Sequence, residues 1–248
     1  EFLLKLYIDI YDVNGNRIVR NFIFDDTSKR VQPFLTFLAG ADLNEDGNTE
    51  LVVGYTIQDM NLYRQNIFDI NIFKSYIKII GSDGRLITTL GPFKGYYLDN
   101  VVIGELKENK PAIVFNLNQT WLTSNDKILA YSLEGENLFN IFEINLNSNY
   151  YVEGITIGDV DNNGSSDIVV NTTGKELLDV YIFNNKGELI RKIKIPSLVN
   201  DERYSDTKPI LGDLNGDGLM DIALESWFGP LINEEVTYKT RLYIITLN

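Results

Sequence analysis

The sequence predicts an all-β protein, a β-propeller built from four-stranded antiparallel blades. Three observations support this prediction: one acidic loop recurs along the chain, alternating apolar runs flank tight turns that contain glycine, and no sustained helical period with caps is found. A β-sandwich of similar strand count is the alternative. We favour the propeller because a sandwich does not require the same loop at the same place in every unit.

The chain is predicted to form one domain, 1–248, that begins with a hairpin over residues 3–24 around Asn14-Gly15. Four repeats follow, and each is predicted to contain a strand, an acidic loop, a second strand, a variable link and a hairpin. Their approximate ranges are 34–95, 96–149, 150–203 and 204–248. The final repeat ends on a single predicted strand, 241–247, and lacks its partner. The propeller is therefore small, or continues in a longer gene product, or is completed by another chain.

Three acidic loops are complete copies of one motif, in which position 1 is Asp42, Asp159 or Asp213. Positions 1, 3 and 5 carry side-chain oxygens, and the glycine at position 6 permits the sharp turn that lets these residues converge on one cation. Position 7 would add a backbone carbonyl, and position 9 a further carboxylate. The predicted metal ligands are Asp42, Asn44, Asp46, Asn48 and Glu50; Asp159, Asp161, Asn163, Ser165 and Asp167; and Asp213, Asn215, Asp217, Leu219 and Asp221.

Composition restricts the chemistry of these loops. The chain has no His and no Cys, which excludes catalysis by those residues, metal sites that they would ligate, and disulfides. Six or more oxygen ligands suit Ca²⁺ better than Mg²⁺. An EF-hand is excluded because position 12 is Val53, Val170 or Leu224 instead of Glu, and because the flanking segments are β-rich. We therefore expect three Ca²⁺ sites and no other cofactor.

The acidic loops resemble a known family. Glycine directly precedes position 1 in two of them, and a β-rich segment such as Asp-Ile-Val-Val or Asp-Ile-Ala-Leu follows the turn. In these features they are similar to the FG-GAP/VCBS repeats of integrin-α-type propellers, and with the hairpins the resemblance spans nearly the whole chain. It implies that the residues named above bind Ca²⁺ at the blade edges, that this calcium is structural, and that the function is adhesion, carbohydrate binding or assembly.

A fourth copy of the loop, headed by Glu105, departs from the pattern. Lys107 occupies position 3, the glycine is absent, and the loop is one residue shorter. A cation at a ligand position opposes metal binding. We therefore expect no ion in this loop, and Lys107 is a candidate internal counter-charge.

The acidic balance and the lack of apolar segments limit the partners. The formal net charge of −13 repels phosphate backbones, so nucleic acid is not expected as a partner. No stretch approaches the 18 or more apolar residues of a membrane span, so membrane insertion is not expected. Expected partners are carbohydrate and another protein or a second copy of the chain. Such a copy would join through strand edges, with residues 3–24 pairing with a C-terminal strand edge.

The residues that remain available for catalysis are Asp, Glu, Lys, Tyr, Ser and Thr, and no constellation of them singles out an active site. No catalytic residue is therefore predicted. The favoured function is a non-catalytic, calcium-stabilised module for binding, adhesion or structural assembly, located outside the cell or at its surface. The alternative is a calcium-dependent carbohydrate-active enzyme such as a polysaccharide lyase.

Overall fold

Antiparallel β-strands account for most of the regular structure. The computed structural model describes residues 4–26, 31–66, 70–107, 110–119, 125–147, 151–173, 177–196, 208–228, 231–232, 235–236 and 239–247. Six sheets lie within this part of the chain, and three of them have four strands. Strands that follow one another in sequence are neighbours in each four-stranded sheet. The all-β class and the four-stranded antiparallel sheets that the alternating runs predict are therefore confirmed.

The N-terminal part of the chain contains a hairpin and the first four-stranded sheet. The strands are β1 (Leu4–Tyr11), β2 (Arg17–Asp26), β3 (Val31–Ala41), β4 (Glu50–Asp59), β5 (Phe73–Ile80) and β6 (Leu86–Lys94). β1 and β2 form a two-stranded sheet of their own, and β3 to β6 follow in sequence order. Gly15 and Gly84 lie in the turns of the β1–β2 and β5–β6 hairpins with φ of 82° each, as the sequence predicts.

A short helix lies in the link between β4 and β5. It is α1 (Met60–Gln65), and a 3₁₀ turn (Ile70–Ile72) precedes β5. The Asp59 side chain caps α1 by accepting hydrogen bonds from the backbone N–H groups of Asn61 at 2.9 Å and Leu62 at 3.1 Å. This helix was not predicted, because six residues are fewer than the roughly 11 to 18 over which a helical period can be recognised.

The remaining strands form two further four-stranded sheets and two smaller ones. They are β7 (Tyr96–Lys107), β8 (Lys110–Gln119), β9 (Asn125–Glu134), β10 (Asn137–Asn147), β11 (Tyr151–Gly158), β12 (Asp167–Thr173), β13 (Leu177–Phe183), β14 (Leu189–Pro196), β15 (Ile210–Gly212), β16 (Asp221–Phe228), β17 (Leu231–Ile232), β18 (Glu235–Val236) and β19 (Lys239–Ile245). The sheets have the orders β10-β9-β8-β7, β11-β12-β13-β14 and β15-β16-β19, and β17 pairs with β18. β19 is thus an edge strand, and the pairing expected between strand edges stays a prediction.

The chain divides into two compact units. The first comprises Glu1–Val101, Leu117–Thr123 and Ser132–Phe139, and the second comprises Val102–Asn116, Ser124–Tyr131 and Asn140–Asn248. In the first unit the β1–β2 hairpin packs on β4 and β5 through a buried apolar cluster. Its members are Ile23, Val53, Tyr55, Ile57 and Ile80.

The second unit has two apolar clusters on opposite faces of the β11–β14 sheet. Ile168 and Val170 of β12 belong to the cluster shared with β8, β9 and β10, whereas Val169 belongs to the cluster shared with β16. All three side chains are fully buried. Because both faces of this sheet are covered, three consecutive residues of β12, Ile168 to Val170, are apolar, whereas a strand with one exposed face shows alternation.

In each unit a buried hydrogen bond joins two consecutive sheets. In the first unit the backbone N–H of Leu98 donates to the Ser75 hydroxyl oxygen at 2.9 Å. In the second, the N–H of Val152 donates to a carboxylate oxygen of Asp126 at 3.1 Å. Ser75, Asp126 and both N–H donors are buried, so each bond satisfies polar groups that water does not reach.

Candidate metal centre

The three complete acidic loops occupy the same place in three sheets. Residues 42–49 join β3 to β4, residues 159–166 join β11 to β12, and residues 213–220 join β15 to β16. Position 1 directly follows the first strand, and position 9 begins the second. The last residue of the first strand is paired with position 9 in every case, for example Gly158 with Asp167. The strand register therefore brings the two ends of each loop together.

The carboxylate at position 1 organises the backbone of each loop. Its two oxygens accept hydrogen bonds from the N–H groups of positions 5 and 6. The distances are 3.1 and 2.9 Å for Asp42, 3.0 and 2.8 Å for Asp159, and 3.1 and 2.9 Å for Asp213. The chain thus turns around one negatively charged side chain three times in the same way, which is the sharp turn that the motif predicts.

Positions 3, 5 and 9 repeat a common pattern as well. The side chain at position 3 accepts from the N–H of position 5, and the side chain at position 5 accepts from the N–H of position 7. The carboxylate at position 9 accepts from the N–H of position 2, at 2.8 Å for Glu50, 3.2 Å for Asp167 and 3.0 Å for Asp221. These three carboxylates are buried, with 2%, 1% and 1% of their surface exposed.

Two positions of each loop lie in the left-handed region of φ. The glycine at position 6 has a φ of 85° in all three loops, and no atom lies within 4 Å of where its Cβ would be, so backbone conformation alone favours glycine there. Position 4 has a φ of 60° at Glu45, 56° at Asn162 and 82° at Gly216. The spacing of metal ligands predicts no role for position 4, and the signal that marks its positive φ is the Asn and Gly found there in two of the three copies.

The second loop brings three carboxylates together. Asp159, Asp161 and Asp167 each place an oxygen within 4.8 Å of the others. One oxygen of Asp167 accepts from the Val160 N–H, and the other is buried without a hydrogen-bond partner among the described residues. Burial, and then the charges of Asp161 and Asp159, raise the pKa of Asp167 to about 6. A cation bound at this group would compensate the negative charge that burial makes unfavourable.

The first and third loops arrange their carboxylates differently. In the first, the side-chain amide of Asn44 donates to Asp46 at 3.1 Å, and in the third the amide of Asn215 donates to Asp217 at 3.0 Å. Hydrogen bonds from Asn48, and then from Asn44, hold the pKa of Asp46 below its usual value. In the described part of the chain, no second group of three carboxylates converges as the one at Asp159 does.

The fourth copy of the motif, headed by Glu105, does not form a loop of the same kind. Glu105 lies inside β7, which continues to Lys107, and β8 begins at Lys110. Outside the described part of the structure lie residues 108–109 and the side chain of Lys107. The role of Lys107 as an internal counter-charge therefore stays a prediction. The absence of an ion at this place stays a prediction.

The residues present fit a hard divalent cation. Each complete loop offers only oxygen ligands, and its backbone is already turned around position 1. In the second loop Asp167 belongs to the converging acidic group, and one of its carboxylate oxygens is buried without a hydrogen-bond partner in the described structure. In each loop the side chains at positions 1, 3, 5 and 9 accept hydrogen bonds from backbone N–H groups of the same loop, and within the described residues the carboxylates of positions 1, 3 and 9 converge in the second loop. For position 7, the structure shows the N–H donating to position 5, and ligation by its carbonyl stays a prediction.

Comparison with known proteins supports this description of the loops. Residues 159–224, which include the second and third loops, match the family model of the FG-GAP-like repeat. This segment is therefore similar to FG-GAP-like repeats. The loop of residues 42–50 lies outside the matched segment. No curated protein matches the chain.

Several solved structures are similar in fold to the chain. One is the crystal structure of the rhamnogalacturonan lyase YesW, with a TM-score of 0.56, 14% identity, and coverage of 98% of this chain and 43% of that one. A rhamnogalacturonan lyase of Bacillus licheniformis has a TM-score of 0.49, 13% identity, and coverage of 88% and 48%. The exotype rhamnogalacturonan lyase YesX has a TM-score of 0.47, 14% identity, and coverage of 98% and 49%.

At these identities the similarity to the lyases is one of fold alone. The chain spans less than half the length of each of the three structures. No helix in the described part of the structure is long and apolar enough to cross a membrane.

Proposed function

We propose that the chain is a calcium-stabilised module of β-propeller type that acts outside the cell in binding, adhesion or assembly. The observation that carries this proposal is the convergence of Asp159, Asp161 and Asp167, in which one oxygen of Asp167 is buried without a hydrogen-bond partner in the described structure. Three negative charges held this close repel one another unless a cation lies between them. The FG-GAP-like match over residues 159–224 supports the same conclusion.

The propeller arrangement is supported by the way consecutive sheets share apolar faces in the second unit. Buried residues of β8, β9 and β10 join those of β11, β12 and β13 in one cluster, and the opposite face of the β11–β14 sheet joins β16 in another. The three four-stranded sheets share one strand order. The sheets that begin with β3, β11 and β15 each have an acidic loop between their first two strands. A radial arrangement of such sheets is the architecture that repeats all of these features.

Calcium would have a structural role in this module. Positions 1, 3, 5 and 9 would hold it through side-chain oxygens, and position 7 through its carbonyl. A bound Ca²⁺ neutralises charge that otherwise opposes the turn and ties the end of one strand to the start of the next. Extracellular modules bind calcium with dissociation constants of about 10⁻⁴ to 10⁻³ M, a range that suits a site filled outside the cell.

Thermal unfolding with and without calcium tests the proposal. Binding to the native state alone adds about 2.7 kcal/mol per site when calcium exceeds its Kd a hundredfold. We expect the Tm of the EDTA-treated protein to rise when calcium is added in excess, and to rise less with magnesium. Identical melting in EDTA and in calcium would show that the loops are turns that bind nothing.

A polysaccharide lyase is the second candidate. It is supported by the similarity of 98% of this chain to part of a rhamnogalacturonan lyase. Incubating the calcium-loaded chain with rhamnogalacturonan distinguishes the two functions. An enzyme would release products carrying the unsaturated bond that β-elimination forms, whereas a binding module would be retained on the immobilised polysaccharide without cleaving it. A protein that does neither would leave adhesion or assembly with another protein as the function.

A further inference from the structure

The three acidic loops differ at two positions that exchange a charge. Position 3 is Asp161 in the second loop but asparagine in the others, and position 5 is Asn163 in the second loop but aspartate in the others. Each loop therefore has three carboxylates among positions 1, 3, 5 and 9. A difference in cation affinity between the loops then depends on where the charges lie and not on how many there are.

In the first and third loops, an internal hydrogen bond occupies the carboxylate at position 5. The amide of Asn44 donates to one oxygen of Asp46, while the other oxygen accepts from the backbone and side-chain N–H groups of Asn48 at 2.8 and 2.9 Å. In the third loop the amide of Asn215 donates to Asp217 in the same way. A cation that binds this oxygen of position 5 competes with the amide N–H for the same negative charge, which is a cost to binding.

The second loop has no such internal bond between positions 3 and 5. Asp161 has no N–H to donate, and its side chain accepts from the backbone N–H of Asn163 at 3.2 Å. Its carboxylate, with those of Asp159 and Asp167, forms the converging group, in which a buried oxygen of Asp167 has no partner within the described structure. A cation entering here displaces no amide and relieves the mutual repulsion of three charges.

We propose that the loop of residues 159–167 binds Ca²⁺ before the other two loops and at least about tenfold more tightly. This inference rests on the proposed calcium-binding function of all three loops. The factor of ten corresponds to one hydrogen bond to a charged acceptor that the first and third loops lose and the second loop does not. The second loop is then the site that stays filled when calcium is scarce.

The first loop is the matched comparison for the second. Position 2 is equally buried in both, with 2% of the surface exposed at Leu43 and at Val160. Position 9 is also buried in both, at Glu50 and Asp167. In the third loop, by contrast, Leu214 at position 2 is 50% exposed. The first and second loops thus differ in charge placement more than in burial.

Two double variants test the proposal without changing the net charge. Asn44→Asp with Asp46→Asn gives the first loop the charge order of the second, and Asp161→Asn with Asn163→Asp gives the second loop the order of the first. Calcium alone is titrated into the EDTA-stripped, desalted full chain in a calorimeter. Circular dichroism of the same samples establishes that both variants are folded.

The expected result is one tight equivalent followed by weaker ones in the unaltered protein. The variant of the first loop should show two tight equivalents, and the variant of the second loop none. Sites of equal affinity in the unaltered protein, or variants whose number of tight equivalents is unchanged, would overturn this inference and leave the proposed function standing. No calcium binding by any of the proteins would instead overturn the proposed function.

Discussion

Replacing Asp167 by asparagine is predicted to stabilise the calcium-free protein and to destabilise the calcium-loaded one. Burial, and then the charges of Asp161 and Asp159, raise the pKa of Asp167 from 3.8 to about 6. The native state therefore holds this proton more tightly than the unfolded chain does. The contribution of this proton to the unfolding free energy is fully present below about pH 4 and is lost as the pH rises through about 6. A pKa difference of about two units means that ionised Asp167 lowers the unfolding free energy at pH 7 by up to about 3 kcal/mol.

The Asp167→Asn variant keeps an acceptor for the Val160 N–H but carries no charge into the buried site. In EDTA at pH 7 it should unfold at a higher urea concentration than the unaltered protein, and the difference should disappear near pH 4. In excess calcium the order should reverse, because the variant loses a charged ligand. At a thousandfold excess over Kd, the unaltered protein gains about 4.1 kcal/mol from this site, which exceeds the lead of up to about 3 kcal/mol that the variant has in EDTA, and the variant loses most of that gain.

Urea unfolding followed by intrinsic fluorescence at both pH values, in EDTA and in calcium, measures these differences. Asp221→Asn is the matched control, because Asp221 holds the same position, is 1% exposed, and accepts from the Leu214 N–H, but lies outside the converging group. Its stabilisation in EDTA should be smaller. If Asp167→Asn changes the unfolding free energy in the same direction in EDTA and in excess calcium, the assignment of a buried, uncompensated charge to this site is refuted.

Three further predictions concern the loops and the link between sheets. Glu45→Gly should raise the stability of the calcium-free protein by about 1 kcal/mol, because Glu45 has a φ of 60°, which is unfavourable for a residue with a Cβ. Thermal unfolding measures this gain, and an equal gain in Glu45→Ala would contradict the explanation. Asp126→Ala should lower the unfolding free energy by about 1 to 3 kcal/mol, because the buried Val152 N–H loses its acceptor; unchanged urea midpoints would contradict this. Asp213→Ala should remove one bound calcium and Glu105→Ala none, as counted by calorimetry; loss of an ion in Glu105→Ala would place a site in the fourth repeat.

The turns of this protein are predictable from sequence because local chemistry determines them. Glycine at position 6 and at the hairpin turns has positive φ wherever the motif places it, as Gly47 and Gly187 illustrate. The start of β12 at Asp167 follows from the same motif, since position 9 ends the loop. Alternating apolar residues then identify the strands, and the order of strands within each sheet follows from the short connections.

Features that depend on side-chain orientation were not predictable. The hydrogen bond from the Asn44 amide to Asp46 depends on side-chain rotamers, which residue spacing does not specify. The same holds for the buried oxygen of Asp167 that has no partner among the residues the structure describes. The position of Glu105 inside β7 depends on how far the strand pairing extends once the loop is shortened. The link from Asp126 to Val152 joins residues of different sheets, and no local pattern marks it.

A crystal structure of the protein grown in calcium shows directly whether the acidic loops bind the ion. We predict an ion in the loop of residues 159–167, bound by oxygens of Asp159, Asp161, Asn163, Ser165 and Asp167 at about 2.3 to 2.6 Å and identified by its anomalous signal. The loops of residues 42–50 and 213–221 are predicted to hold ions in the same manner. A loop of residues 159–167 that contains only water at millimolar calcium would contradict the account.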